Sequence, residues 1–153
     1  MNIPSVIKEG RRKVGLRKKD LARILDISEM HVYDLESYDN ELKETLTIEQ
    51  IYKLAEFLNI LPENLCNELK HCHITNEQAF GEIKHLINQT QIPVNMLSEK
   101  IGWDLEFCAS STTSIKKQPI MFFIDLATWF NVSLKSVLPN TTSPPNKTLF
   151  NNK

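Results

Sequence analysis

Six basic residues within nine positions form a local concentration of charge near the start of the sequence. They are Arg11, Arg12, Lys13, Arg17, Lys18 and Lys19. Lysine and arginine side chains can neutralise phosphate groups, which is the chemistry that binding to a polyanion requires. The chain as a whole provides no such signal, because its formal net charge at pH 7 is −1. A role that depends on positive charge must therefore rest on this run and on the residues positioned beside it.

A second cluster contains residues that could ligate a metal ion, namely Cys66, His71, Cys72 and His73. Their spacing does not match the paired Cys-x-x-Cys pattern of tetrahedral zinc sites. The side chains of three adjacent residues also diverge, which is unfavourable for binding one ion. We therefore expect no metal site and no cofactor, and we interpret residues 71–75 as a polar boundary between two parts of the chain.

The sequence lacks the motifs that indicate an enzyme. It has no glycine-rich phosphate loop, no Gly-x-Ser-x-Gly and no His-Glu-x-x-His. Three cysteines in 153 residues do not make a disulfide framework. No apolar run approaches the roughly 18 residues that span a bilayer, and the first residues lack the features of a secretory signal. We expect a cytoplasmic protein that is not an enzyme and that has neither a membrane nor a small-molecule substrate as its partner.

Apolar residues recur at three- and four-residue spacing, so the sequence predicts an all-α fold. Ser28 and Thr47 are placed as the N-caps of two of the helices. In the first half the predicted helices cover about 4–14, 17–25, 28–37, 47–59 and a short segment from Pro62, with a polar loop over 38–45. In the second half they cover about 75–89, 93–101, a short segment after Asp104, 119–130 and a final turn over 133–138, with a loop over 110–117.

Two blocks of the first half recur in the second half in the same order. Residues 54–60 (Leu-Ala-Glu-Phe-Leu-Asn-Ile) resemble residues 126–132 (Leu-Ala-Thr-Trp-Phe-Asn-Val), and residues 21–27 resemble residues 97–103. The alternative explanation is that amphipathic helices resemble one another by chance. The repeat predicts two similar helical lobes. The expected segments are a first lobe over 1–70, a second over 71–138 and a disordered tail over 139–153, which is rich in Asn, Thr, Ser and Pro.

The stretch from Gly15 to Glu36 has Gly-Leu before one predicted helix, Leu-Ala within it, and Ile-Ser at the start of the next. These features resemble the Xre, or lambda-repressor-like, helix-turn-helix domains. The resemblance covers about residues 3–66, and the second half resembles the family only as a degenerate copy. Two departures stand out: Arg17-Lys18 replaces the usual Ser or Thr and Gln, and Asp26 replaces the usual Gly and must tolerate a positive φ. The matching positions are Gly15, Leu16, Leu21, Ala22, Ile27, Ser28, Val32, Leu35 and Glu36.

The resemblance implies a lambda-repressor-like lobe that acts as a sequence-specific DNA-binding transcriptional regulator of prokaryotic or phage type. The recognition helix, the second of the pair, would lie in the major groove of double-stranded DNA, and such domains often form homodimers. The phosphate-binding residues would be Arg17, Lys18 and Lys19. The base-facing positions would be Ser28, Glu29, Met30, His31 and Asp34.

Acidic residues on and after the predicted recognition helix leave a second function open. They are Glu29, Asp34, Glu36, Asp39, Glu41 and Glu44. Carboxylates that face a phosphate-lined groove would repel it, whereas a basic protein surface would be complementary. The alternative is therefore an immunity, antitoxin or adaptor protein that uses the helix-turn-helix fold to bind a protein partner.

Overall fold

The computed structural model describes residues 2–70, 83, 85–106 and 117–137. Within these ranges the regular structure is helical, apart from an isolated bridge between Thr47 and Pro119. This confirms the prediction of an all-α fold. None of the described helices is both long and apolar enough to cross a membrane. The chain forms two compact units: Met1–Lys70 with Pro119–Met121, and His71–Gln118 with Phe122–Lys153.

The first unit is built from short helices whose ends are fixed by local hydrogen bonds. The Asn2 side chain accepts a hydrogen bond from the Ser5 amide, and Pro4 lies in the first turn of α1. Thr47 and Gln50 form the predicted capping box at the start of α5, at 2.9 and 3.1 Å. The elements are α1 (Ile3–Lys13), α2 (Lys18–Leu25), α3 (Glu29–Leu35), α4 (Glu41–Thr45), α5 (Ile48–Leu58), α6 (Pro62–Leu65) and a 3-10 turn (Asn67–Leu69).

The core of this unit lies where α2 packs on α3 and where α1 and α2 pack on α5. Each helix contributes an apolar stripe at three- and four-residue spacing, and burial of such side chains stabilises the fold by about 1.5–3 kcal/mol each. The α5 side chain of Gln50 donates to the Leu25 carbonyl at 2.9 Å, which ties α5 to the end of α2. Fully buried members of the core are Ile7, Leu21, Val32, Leu35, Ile51, Leu54 and Leu65.

The predicted polar loop over residues 38–45 is wrong, because this segment contains α4. Leu42 is 2% exposed and Leu46 is fully buried, so the two leucines hold a mostly charged segment against the core. The Ile120 amide also donates to the Leu46 carbonyl at 3.0 Å within the same unit. Tertiary burial of two residues thus overrides a composition that favours a loop.

The described part of the second unit also consists of helices. Residues 85–90 are helical, and they are followed by α7 (Val94–Ile101), α8 (Ile120–Phe130) and α9 (Leu134–Val137). The first two residues of α8 belong to the first unit. The Trp103 indole donates to the Asp125 carboxylate at 2.8 Å and meets the Phe122 ring edge-to-face at 5.4 Å. These contacts fix the end of α7 against α8.

Several predicted features lie outside the described residues. They are the first part of the helix at 75–89, the continuation of the segment after Asp104, most of the loop at 110–117 and the tail at 139–153. The assignment of residues 71–138 as a second helix-turn-helix-like lobe stays a prediction.

Candidate nucleic-acid interface

The turn between α2 and α3 is built by local hydrogen bonds. Asp26 ends α2 in the left-handed region, with φ 58° and ψ 50°, as the sequence predicts for this position. The Ile27 amide then donates to the Ala22 carbonyl at 2.9 Å, and the Ser28 hydroxyl accepts from the His31 amide at 3.0 Å. Ser28 is thus the predicted N-cap of α3. Ala22 is 5% exposed, so a larger side chain at this position of α2 would have to displace its neighbours.

Arg11 and Glu36 form a buried ion pair and do not belong to the surface. The Arg11 guanidinium donates to both carboxylate oxygens of Glu36 and to the Leu16 carbonyl, the last at 2.9 Å. The Arg11 side chain is 8% exposed and the Glu36 side chain 3%. The sequence-based prediction is therefore wrong where it includes Arg11 in the exposed basic run and Glu36 among the acids that would repel phosphate. The pair joins α1 to the end of α3 and removes one carboxylate from the outer face of α3.

Among the three predicted phosphate-binding cations, Arg17 has a partner within its own helix turn. Its guanidinium donates to the Asp20 carboxylate at 2.9 and 3.0 Å. The hydrogen bonds from Arg17 lower the pKa of Asp20 to about 2. Because the Arg17 side chain is 67% exposed, its charge is still accessible from solvent.

The lysines at the start of α2 differ in their surroundings. The Lys18 ammonium lies over the Tyr33 ring, 4.9 Å from the ring centroid, in cation–π geometry. Lys19 is exposed. Lys18 therefore brings a positive charge from α2 directly beside the outer face of α3.

The outer face of α3 carries a shallow open depression of about 340 Å³, lined by Lys18, Glu29, Met30 and Tyr33. Met30 is 67% exposed and Tyr33 is 50% exposed, although both are large and largely apolar. The sequence prediction included Glu29 and Met30 but missed Tyr33. The missing signal is helical spacing, because Tyr33 follows Met30 by three residues and Glu29 by four, which places all three on one face.

The remaining predicted residues of α3 are less accessible. The His31 Nε2 atom lies 2.6 Å from the Thr45 hydroxyl and 3.6 Å from the Glu41 carboxylate, so the imidazole faces α4. Asp34 is half-buried, and its carbonyl accepts from the Tyr38 amide at 2.9 Å. The structure thus brings Glu29 and Met30 together with Lys18 and separates His31 from them.

The candidate metal cluster is described only at Cys66. This thiol is buried, and burial followed by its contact with Glu68 raises its pKa to about 12. It therefore stays protonated at neutral pH. The other members, at 71–73, lie outside the described residues.

Residues 7–65 match a family model described as "Helix-turn-helix". The matched segment begins within α1 and ends at the last residue of α6. Comparison with curated proteins and with solved structures found no match.

Proposed function

We propose that residues 7–65, which match the helix-turn-helix family model, act as a domain of the Xre, or lambda-repressor-like, type. We propose further that the protein binds double-stranded DNA sequence-specifically and regulates transcription. In this proposal α3 lies in the major groove and the start of α2 lies along the phosphate backbone. The observation that carries the proposal is the position of Lys18, which lies beside the exposed edge of α3 formed by Glu29, Met30 and Tyr33.

The charge distribution within the first unit supports this orientation. Residues 1–36 contain eight basic and six acidic residues, whereas residues 37–70 contain three basic and seven acidic residues. The pairs Arg11–Glu36 and Arg17–Asp20 each cancel one base and one acid, so the excess of two positive charges in residues 1–36 is unchanged by them. The three N-terminal helices therefore present a net positive surface that can neutralise phosphates.

The proposed contacts divide into two groups. Lys18, Lys19 and the exposed guanidinium of Arg17 would bind phosphates, and the Ser28 hydroxyl retains a proton that it can donate to a phosphate oxygen. Glu29 and Met30 would face the base edges, together with the newly identified Tyr33. His31 and Asp34 stay proposed members of the site, with His31 placed at its edge beside α4.

The test begins with selection of binding sites by the full chain from a library of randomised duplexes. Fluorescence anisotropy with an enriched duplex is then measured across a range of salt concentrations. We expect affinity to fall steeply with salt, and Lys18→Ala to reduce the salt slope by about 1. Lys53→Ala is the matched control, because Lys53 is an exposed lysine on α5 and its removal should leave the slope unchanged. Failure to enrich any sequence, or a slope near zero, would contradict the proposal.

The spacing within an enriched site also tests the stoichiometry. Two half-sites about one helical turn apart would indicate a homodimer, which many domains of this type form. A single short site would indicate that one chain suffices.

A second candidate function is favoured by the acidic character of residues 37–70. Asp39 and Glu44 are exposed close to α3, and Glu41 is half-buried beside His31. Such a surface would suit a basic protein partner of an immunity, antitoxin or adaptor protein. A stable complex with a basic protein in a pull-down that uses the full chain, together with no shift of any duplex, would favour this function over DNA binding.

A further inference from the structure

Two large apolar side chains are exposed on the helix that the proposed function places in the major groove. Met30 and Tyr33 are 67% and 50% exposed, whereas Val32 and Leu35 of the same helix are fully buried. The core of the unit therefore uses one face of α3 and leaves an apolar pair on the other. The three-residue spacing of Met30 and Tyr33 makes them neighbours on that face.

The tyrosine ring of this pair is held in position by α2. The Lys18 ammonium lies 4.9 Å from the centre of the ring, so one face of the ring is covered by the cation. Attraction between a cation and the ring face restrains a side chain that solvent alone would leave free to change rotamer. Tyr33 and Met30 line the same open depression.

The composition of α3 limits what it can contact in a major groove. Side chains that bind purine edges in bidentate fashion are Arg, Lys, Asn and Gln, and α3 (Glu-Met-His-Val-Tyr-Asp-Leu) contains none of them. In the major groove an A·T pair presents a methyl group, on C5 of thymine, which a G·C pair lacks, and apolar side chains contact it. The exposed apolar pair is complementary to that methyl group, and the neighbouring Lys18 is complementary to the phosphates beside it.

We propose that Met30 and Tyr33 form a contact site for thymine methyl groups, so that the protein distinguishes thymine from uracil at one or two positions of its site. This inference rests on the proposed function and adds a base preference to it. Contact with one methyl group is worth about three- to fivefold in affinity, since burial of one such group contributes about 0.8 kcal/mol.

The experiment compares thymine with uracil in an enriched duplex. The full chain is titrated with that duplex and with versions in which each thymine in turn is replaced by uracil, which removes only the methyl group. Wild-type protein should lose about three- to fivefold in affinity at one or two positions. Met30→Ala or Tyr33→Ala should reduce that ratio to near one, whatever their overall affinity. Met96→Ala is the matched control, since Met96 is also exposed, and it should retain the wild-type ratio.

The outcomes separate this inference from the function on which it rests. Equal binding of thymine and uracil duplexes at every position overturns the methyl contact and leaves DNA binding intact. A uracil effect that persists in both alanine variants overturns the assignment to Met30 and Tyr33. Failure to bind any duplex removes both the inference and the proposed function. Circular dichroism of each variant shows that it has folded, which is expected because both side chains lie outside the core.

Discussion

The segments 18–27 and 94–103 end in the same way but differ on their surfaces. Leu21 and Leu97 are both fully buried, and the helices end at left-handed residues, Asp26 with φ 58° and Gly102 with φ 90°. With the two leucines aligned, however, the positions of Lys18 and Lys19 are occupied in the second segment by Val94 and Asn95.

The ends of α5 and α8 are more similar to each other in backbone conformation. Asn59 after α5 and Asn131 after α8 have φ values of 59° and 56°. The Ile60 amide donates to Ala55 at 2.9 Å, and the Val132 amide donates to Ala127 at the same distance. Both ends therefore use the same C-terminal motif, in which a left-handed residue allows the next amide to bond back to the helix.

The comparison separates two kinds of information in the chain. Buried leucines and helix ends specify local architecture, and they are similar in the two halves. Exposed cations and the apolar pair on α3 carry the proposed binding chemistry, and they lie within residues 17–33 of the first half. We therefore expect the two halves to respond alike to changes in the core and differently to changes on the surface.

The largest expected effect comes from the buried ion pair of the first unit. Arg11→Ala should lower the free energy of unfolding by about 3–5 kcal/mol, because it leaves the Glu36 carboxylate buried without its partner. Arg12→Ala provides the control, since Arg12 is exposed and its loss should change stability by less than about 0.5 kcal/mol. Urea denaturation measures both. Equal midpoints for the two variants would show that the pair is not needed for stability.

The next largest effect tests the shared architecture. Leu21→Ala and Leu97→Ala should each cost about 2–5 kcal/mol, because both side chains are completely buried and their truncation leaves a cavity. Leu61→Ala is the control, since Leu61 is 59% exposed. Thermal unfolding of the three variants gives the order of stability. If Leu97→Ala is as stable as Leu61→Ala, the buried leucine of the second segment does not contribute to stability as Leu21 does, and the two segments differ.

A smaller effect is expected at the left-handed helix ends. Gly102→Ala should cost about 1–2 kcal/mol, because a Cβ atom is disfavoured at φ 90°. An added Cβ there meets no atom within 4 Å, so the cost is conformational rather than steric. Asp26→Gly should change stability by less than about 0.5 kcal/mol, since strain relief is offset by greater freedom of the unfolded chain. If urea denaturation gives Gly102→Ala the same free energy of unfolding as the wild type, this account is contradicted.

The smallest effect concerns acid stability near α2. Hydrogen bonds from Arg17 hold the pKa of Asp20 at about 2, below its ordinary value of 3.8. Because the folded-state pKa is lower, this carboxylate stabilises the fold fully above about pH 4, and the contribution is lost as the pH falls towards 2. Asp20→Asn and Arg17→Ala should both reduce the dependence of the free energy of unfolding on pH in that range. A curve that keeps its wild-type slope in both variants would contradict the assignment.

Features specified by neighbouring residues were predictable from the sequence. The caps at Ser28 and Thr47 and the positive φ at Asp26 each depend on one residue and its helix end. α4 was missed because its stability comes from burial of Leu42 and Leu46 in a core that the segment itself does not specify.

The candidate site was predictable to a smaller extent. The partner of Arg11 is 25 residues away in the sequence, so spacing alone gives no sign of the pair. Tyr33 could have been included from its helical spacing to Met30, whereas the contact of His31 with Thr45 required the position of α4. The roles of the site residues in binding DNA stay predictions.

The central claim is that residues 17–33, and not residues 94–103 of the second half, contact DNA. It is tested most directly by an NMR titration of the 15N-labelled chain with an enriched duplex. We predict that the perturbed amides cluster at residues 17–19 and 28–33 and that those at 94–103 stay unchanged. Perturbations concentrated at 94–103, or absent from 17–19 and 28–33, would contradict this account.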